Sequence, residues 1–159
     1  GTDVGLRFKS TRGRGGVVEN IFIDNINMID ISNDALTMDL YYAVNDSPET
    51  PIPDVNEETP VFRNIYISNV LCRGAERAVY FNGLPEMPLK NIFIKNMTVT
   101  NAKKGIVINQ ASQVNMENIK VEDPEAPGIQ IKNATGIIIN GKEYKKDSGK
   151  MLLSGNQRN

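Results

Sequence analysis

The 159-residue chain has no histidine, no tryptophan and a single cysteine. Without histidine there is no imidazole general base, no histidine-containing triad and no histidine-ligated metal. One cysteine, Cys72, excludes an intrachain disulfide and leaves the redox compartment open. No run of 18 apolar residues and no signal-like start is present, so the sequence offers no membrane span. Charge in bulk is also lacking. The 18 Lys and Arg nearly balance 19 Asp and Glu, a formal net charge of −1, which indicates no nucleic-acid or membrane partner.

What is present is a repeat. Four segments read alike: Asn20-Ile-Phe-Ile-Asp-Asn25, Asn64-Ile-Tyr-Ile-Ser-Asn69, Asn91-Ile-Phe-Ile-Lys-Asn96 and Gln113-Val-Asn-Met-Glu-Asn118. A weaker fifth copy is Thr135-Gly-Ile-Ile-Ile-Asn140, and the final Asn residues are 44, 27, 22 and 22 apart. Apolar residues alternate around each marker Asn, as in Ile21/Ile23, Ile65/Ile67 and Ile92/Ile94, then Met28, Cys72, Val99 and Val121 three residues beyond it. A second run follows ten or eleven residues after the marker: Leu36-Thr-Met38, Val79-Tyr-Phe81, Ile106-Val-Ile108 and Ile129-Gln-Ile131. Leu6-Arg-Phe8 fills that slot one coil earlier. Period-two alternation, β-branched side chains and intervening Asn and Gly indicate strands. Short strands recurring about every 22 residues indicate an all-β, single-stranded, right-handed parallel β-helix of about five coils. Stacked coils would set Ile on Ile inside and line up the marker asparagines as an amide ladder. Cys72 falls in an interior column, where packing explains it without reactivity. Asn96 is expected to point inward. That makes its Asn-Met-Thr sequon accidental, while those at Asn45 and Asn133 carry little weight without a known host.

Residues 1–144 are expected to form the coils. Residues 45–60, with four prolines and five acids, leave them as an inserted loop. Residues 145–159, with four Lys or Arg, read as a polar tail or a cap in which Met151, Leu152 and Leu153 dock. The chemistry concentrates in Gly5-Leu-Arg-Phe-Lys-Ser10 and the Thr11-Arg-Gly-Arg-Gly-Gly16 after it. In an extended strand Arg7 and Lys9 share one face roughly 7 Å apart, which suits two grips on one anionic sugar or phosphate. The same alternation also describes a half-buried strand with solvated charges. In stacked coils Thr37 and Asp39 would neighbour Arg7 and Lys9, so Asp39 would orient Lys9 or neutralise it. Arg12 and Arg14 add positive potential, or belong to a solvated loop.

The string GTDVGLRFKSTRGRGG leading into Asn20-Ile-Phe-Ile resembles the C-terminal part of polygalacturonases of glycoside hydrolase family 28, bacterial exo-acting members in particular. The match runs from residue 1 to about 140, and Arg7-Phe-Lys9 resembles the family's Arg-Ile-Lys motif. The resemblance implies inverting hydrolysis of α-1,4-linked galacturonic acid in pectin, a polygalacturonate or oligogalacturonide substrate and no cofactor or metal. It also implies a secreted or periplasmic location. Arg7 and Lys9 would bind the galacturonate carboxylate beside the scissile bond, and Tyr42, or failing it Tyr41, would line the same subsite. An Arg fork and a Lys point charge suit a carboxylate.

The family's catalytic carboxylates lie in an Asn-Thr-Asp motif and an Asp-Asp pair, assisted by a Gly-His-Gly motif, and none of these strings occurs here. A glycosidase needs two carboxyl groups. No catalytic residue is therefore assigned within the chain; the catalytic residues are expected upstream of Gly1. Two other functions fit a β-helix: a calcium-dependent pectate lyase and a non-catalytic carbohydrate-binding helix. The column Asp39, Asn82, Asn109, Lys132 is poor in calcium ligands. A β-helix whose first coil is uncovered would expose Leu6, Phe8, Val17 and Val18 and associate end to end. Sedimentation tests this: oligomers that grow with concentration are expected, and a monodisperse monomer would contradict it.

Overall fold

The computed structural model describes residues 1–42, 50–122 and 128–145 and the backbone of 151–152, and among these there is no helix. Five stretches of extended chain wind into a right-handed parallel β-helix. They are β1 (Leu6–Lys9), β2 (Val17–Asp39), β3 (Val61–Asn82) and β4 (Leu89–Glu122), continued by β5 (Gly128–Ile139). Each pairs in parallel with the next, in the order β1-β2-β3-β4-β5. The register is the one the repeat implies. Leu6 lies over Leu36, Leu36 over Val79, Val79 over Ile106 and Ile106 over Ile129. Ile23, Ile67 and Ile94 form a second row, as do Met28, Cys72 and Val99. These rows are the core. Ile67, Ile94, Phe81, Ile108 and Cys72 are buried, and burial raises the Cys72 thiol above its ordinary pKa. The first coil is more open: Ile23 is half-buried, and Phe22 is 75% exposed.

The chain stays extended around its corners because it turns through single residues in the left-handed region. Thirteen described non-glycine residues have φ between 49° and 58°, and ten of them are asparagine. That backbone costs most side chains roughly 1–2 kcal/mol, whereas Asn reaches it readily. The corner amides then bond from coil to coil. Asn96 Nδ2 donates to Asn69 Oδ1 at 3.0 Å, and Asn118 Nδ2 to Asn96 Oδ1 at 2.9 Å. A parallel rung joins Asn91 to Asn64 at 2.9 Å.

The ladder is shorter than the sequence indicates. At its first rung Asn69 Nδ2 donates not to Asn25 but to Asp24 Oδ1, at 2.7 Å, beside the Ser68 hydroxyl at the same distance. An ionised carboxylate is the stronger acceptor. Those two bonds hold the Asp24 carboxyl below its usual pKa. Asn96 is half-buried at an outer corner instead of pointing inward.

The C-terminal end also departs from the repeat. Asn140 and Gly141, both with positive φ, reverse the chain, and β6 (Lys142–Tyr144) runs antiparallel against β5. Asn-Gly is the residue pair that a tight hairpin turn demands. Asn140 accordingly bonds the backbone of Ile119, at 2.8 Å to both its N–H and its C=O, and forms no rung with Asn118. A short β7 (Met151–Leu152) also pairs antiparallel with β5. Of the inserted loop, residues 51–58 are exposed and outside any strand. Asn45 and most of the tail lie outside the described residues.

Asn96 separates the two roles of a corner residue. Asn96→Ala loses both amide bonds and the left-handed preference and should cost about 2 kcal/mol. Asn96→Gly should recover roughly half of that, because glycine keeps the bend and loses only the amide. Urea unfolding of both variants measures the split.

Candidate functional site

Two outward rows run side by side along the helix axis. Arg7 pairs with Thr37 and Thr37 with Tyr80; Lys9 pairs with Asp39, Asp39 with Asn82 and Asn82 with Asn109. β1 can lie flat on the coil below because residue 5 is glycine. A Cβ there would meet Met28 Sδ at 2.2 Å and the Ala35 carbonyl oxygen at 2.5 Å. Leu6 and Phe8 turn towards the core while Arg7 and Lys9 are exposed on the same side.

Both cations converge on one ring. Lys9 Nζ lies 4.2 Å and Arg7 Cζ 5.5 Å from the centroid of Tyr42. Tyr42 is fixed from its backbone, whose N–H donates to the Ser10 carbonyl at 3.3 Å. A cation over an aromatic face is held without being neutralised. The pair therefore keeps its charge for an anion. Arg7 also lies 3.8 Å from Asp3, whose carboxylate accepts from the Asn33 amide. Asp3, Arg7, Thr37, Tyr42, Arg77 and Tyr80 line a shallow cavity of about 330 Å³.

The other residues singled out in the sequence take different places. Asp39 forms no ion pair with Lys9. Its Oδ1 accepts from the Tyr41 N–H at 2.9 Å and from Asn82 Nδ2 at 3.1 Å, so the carboxylate ties the row to the turn after it. Arg12 stands away from Arg7 and Lys9. Its guanidinium grips Glu86 with two bonds, Nη2 to Oε2 at 2.8 Å, and lies 5.2 Å from the Tyr41 ring. The Glu86 side chain is only 4% exposed, so Arg12 is committed to joining two loops. The same loop is pinned by Gly13 and Gly15, whose N–H groups donate to the Glu58 carbonyl at 3.1 and 2.9 Å. A Cβ on Gly15, where φ is 60°, would stand 2.1 Å from the Glu57 carbonyl oxygen. Arg14 is exposed.

Three residues that the sequence did not single out shape the floor. Asp34 accepts two bonds from Arg77, at 2.7 and 3.1 Å, and one from the Thr37 hydroxyl at 2.6 Å. Arg77 Cζ in turn lies 3.9 Å from the Tyr80 centroid. Burial raises the Tyr80 pKa, and the Asp39 charge adds to it, so the phenol keeps its proton as a donor. The signal for Tyr80 was in the repeat: it stands one row below Thr37, at an outward position of a strand already aligned.

In chemical terms the site offers a planar fork, an ammonium and a phenol on one rim, which suits a carboxylate on a polyhydroxylated ring. The carboxylates within reach are spoken for: Asp3 by Arg7 and Asn33, Asp34 by Arg77 and Thr37, Asp39 by Tyr41 and Asn82.

The model of the glycosyl hydrolases family 28 matches residues 1–105. Among solved structures, the hyperthermoactive exopolygalacturonase from Thermotoga maritima is similar to this chain, with a TM-score of 0.57 and 25% identity. The similarity covers 96% of this chain and 28% of that one. No curated protein matches the chain in sequence.

The two arginines should separate by stability. Arg12→Ala removes both guanidinium bonds to the buried Glu86 carboxylate and should cost about 3 kcal/mol. Arg7→Ala, at an exposed position, should cost less than about 0.5 kcal/mol. Chemical denaturation of the two variants measures the difference.

Proposed function

The chain belongs to glycosyl hydrolase family 28, and from that membership we propose that its protein hydrolyses the α-1,4 linkages of polygalacturonate with inversion. Arg7, Lys9 and Tyr42 bind the carboxylate of the sugar beside the scissile bond. The observation that carries this reading is the convergence of Arg7 and Lys9 on the Tyr42 ring, two exposed cations on one side of a short strand. Arg12 and Asp39 act indirectly, by fixing the loops and the turn that hold Tyr41 and Tyr42. Exo-action is supported by the described part of the loop, where Thr50, Pro51 and Ile52 wall one side of the trough. It is also supported by the similarity to an exopolygalacturonase. A polymer of the cell wall places the protein outside the cytoplasm, secreted or periplasmic.

Hydrolysis requires one carboxyl to protonate the leaving oxygen and another to activate water. Asp3, Asp34 and Asp39 are each engaged by cations or amides. We therefore place the hydrolytic pair outside these 159 residues, which span 28% of the length of the exopolygalacturonase they resemble. That same engagement favours a second reading for the chain by itself: a carbohydrate-binding β-helix that holds galacturonate without cleaving it.

Calorimetric titration of the chain with oligogalacturonate should show binding that weakens as salt rises. Arg7→Ala and Lys9→Ala should each lower affinity about tenfold, the worth of one charge-assisted bond. Equal affinity for a neutral galactose oligomer would contradict the reading. Release of reducing ends by the 159 residues alone would contradict the placement of the carboxylates.

A further inference from the structure

The row that begins at Lys9 does not end with the family match. Lys9 pairs with Asp39, Asp39 with Asn82, Asn82 with Asn109 and Asn109 with Lys132, one residue from each successive coil. Asn109 and Lys132 lie beyond residue 105, where the match of the family model ends. Four steps of about 4.8 Å separate the two lysines by roughly 19 Å along the axis.

Between the two cations the row is polar and directional. Asn82 Nδ2 donates to Asp39 Oδ1 at 3.1 Å, and Asn109 Nδ2 donates to Asn82 Oδ1 at 3.0 Å. Every donor thus points back towards Asp39. The last acceptor, Asn109 Oδ1, is left on the Lys132 side of the row. It is buried and has no hydrogen-bond partner among the described residues. A buried carbonyl without a donor is a costly arrangement, relieved when a ligand hydroxyl or a water supplies the proton. The Asn109 side chain lines a cavity of about 660 Å³ together with Asp39, Tyr80, Asn82, Gln110 and Lys132, a volume within the range of ligand sites. Lys132 is exposed at its far end.

We infer that this trough holds an acidic oligosaccharide lengthwise, with Lys132 as a second carboxylate grip and the uncharged amides of Asn82 and Asn109 beneath the rings between the two ends. The inference rests on Arg7 and Lys9 being a galacturonate site. Charge along the row fits that occupant. An Asp39 carboxylate would repel a uronate placed directly above it, while the amides of Asn82 and Asn109 carry no charge to repel one. Attraction is confined to the ends. With roughly one pyranose ring per coil step, a disaccharide reaches only Lys9, and a chain of four or five rings also reaches Lys132. Lys132 is thus a determinant of chain length.

Titration of the whole chain with di-, tri-, tetra- and pentagalacturonate tests this. Wild-type affinity should step up between the trimer and the pentamer. Lys132→Met should weaken the pentamer about two- to fivefold, the upper part of the range for an exposed charge pair, and leave the dimer unchanged. Lys132→Arg should restore the pentamer, and Arg7→Ala should weaken every length. Equal binding of dimer and pentamer by the wild type would overturn the second grip, as would a Lys132→Met loss that is the same at all lengths or absent. Binding of no length at all would overturn the functional reading itself and this inference with it. Binding that depends on Arg7 but not on Lys132 overturns this inference alone.

Discussion

Parallel pairing of each coil with the next governs everything else in the molecule. β2, β3, β4 and β5 are bound to one another in register, apart from one extra residue in β2 between Ile31 and Asp34. Backbone bonds fix the rows before any side chain is consulted. Inside, that registry makes columns of Ile, Leu, Met, Val and Phe with almost no exposed surface. Outside, it makes columns of functional groups at a constant interval of about 4.8 Å. The same constraint that fills the core therefore aligns the Arg7 and Lys9 rows along the outer face. Function and stability share one geometry, and a slip of one residue would turn Arg7 and Lys9 inward and Leu6 and Phe8 out.

The corners decide how faithfully the registry is kept. Asparagine serves there for two physical reasons at once: it accepts the left-handed bend, and its amide both donates and accepts towards its neighbours. Where a carboxylate is close by, as at Asp24, charge draws the amide off its own row. Where glycine follows, as at Asn140-Gly141, the local turn preference outweighs the repeat and sends the chain back antiparallel. Stacked outer rings add to the register at one face: Phe22, Tyr66 and Phe93 lie parallel with centroids 4.8 and 5.1 Å apart.

The repeat was legible in the sequence because stacking forces the same residue type into the same position, turn after turn. Ile23, Ile67 and Ile94 could be placed in one row, and Thr37 and Asp39 beside Arg7 and Lys9, from spacing alone. What spacing could not supply was the outcome of competition between partners. Asp39 could be aligned with Lys9, yet a backbone N–H and an amide claim its carboxylate instead. Arg12 could be read as part of a cationic string, yet its partner Glu86 sits 74 residues away on a loop outside the repeat. The Asn140-Gly141 reversal was written in the sequence, but the marker role given to Asn140 masked it.

The central claim is that residues one coil apart form a continuous trough whose cationic end is Arg7, Lys9 and Tyr42. The most direct measurement is a crystal structure of the chain with an oligogalacturonate bound. The account predicts a sugar carboxylate between the Arg7 guanidinium and the Lys9 ammonium, beside Tyr42, with the rest of the oligomer running along the axis over Asn82 and Asn109. Sugar bound on another face, or Arg7 and Lys9 found on opposite sides of their strand, would contradict it.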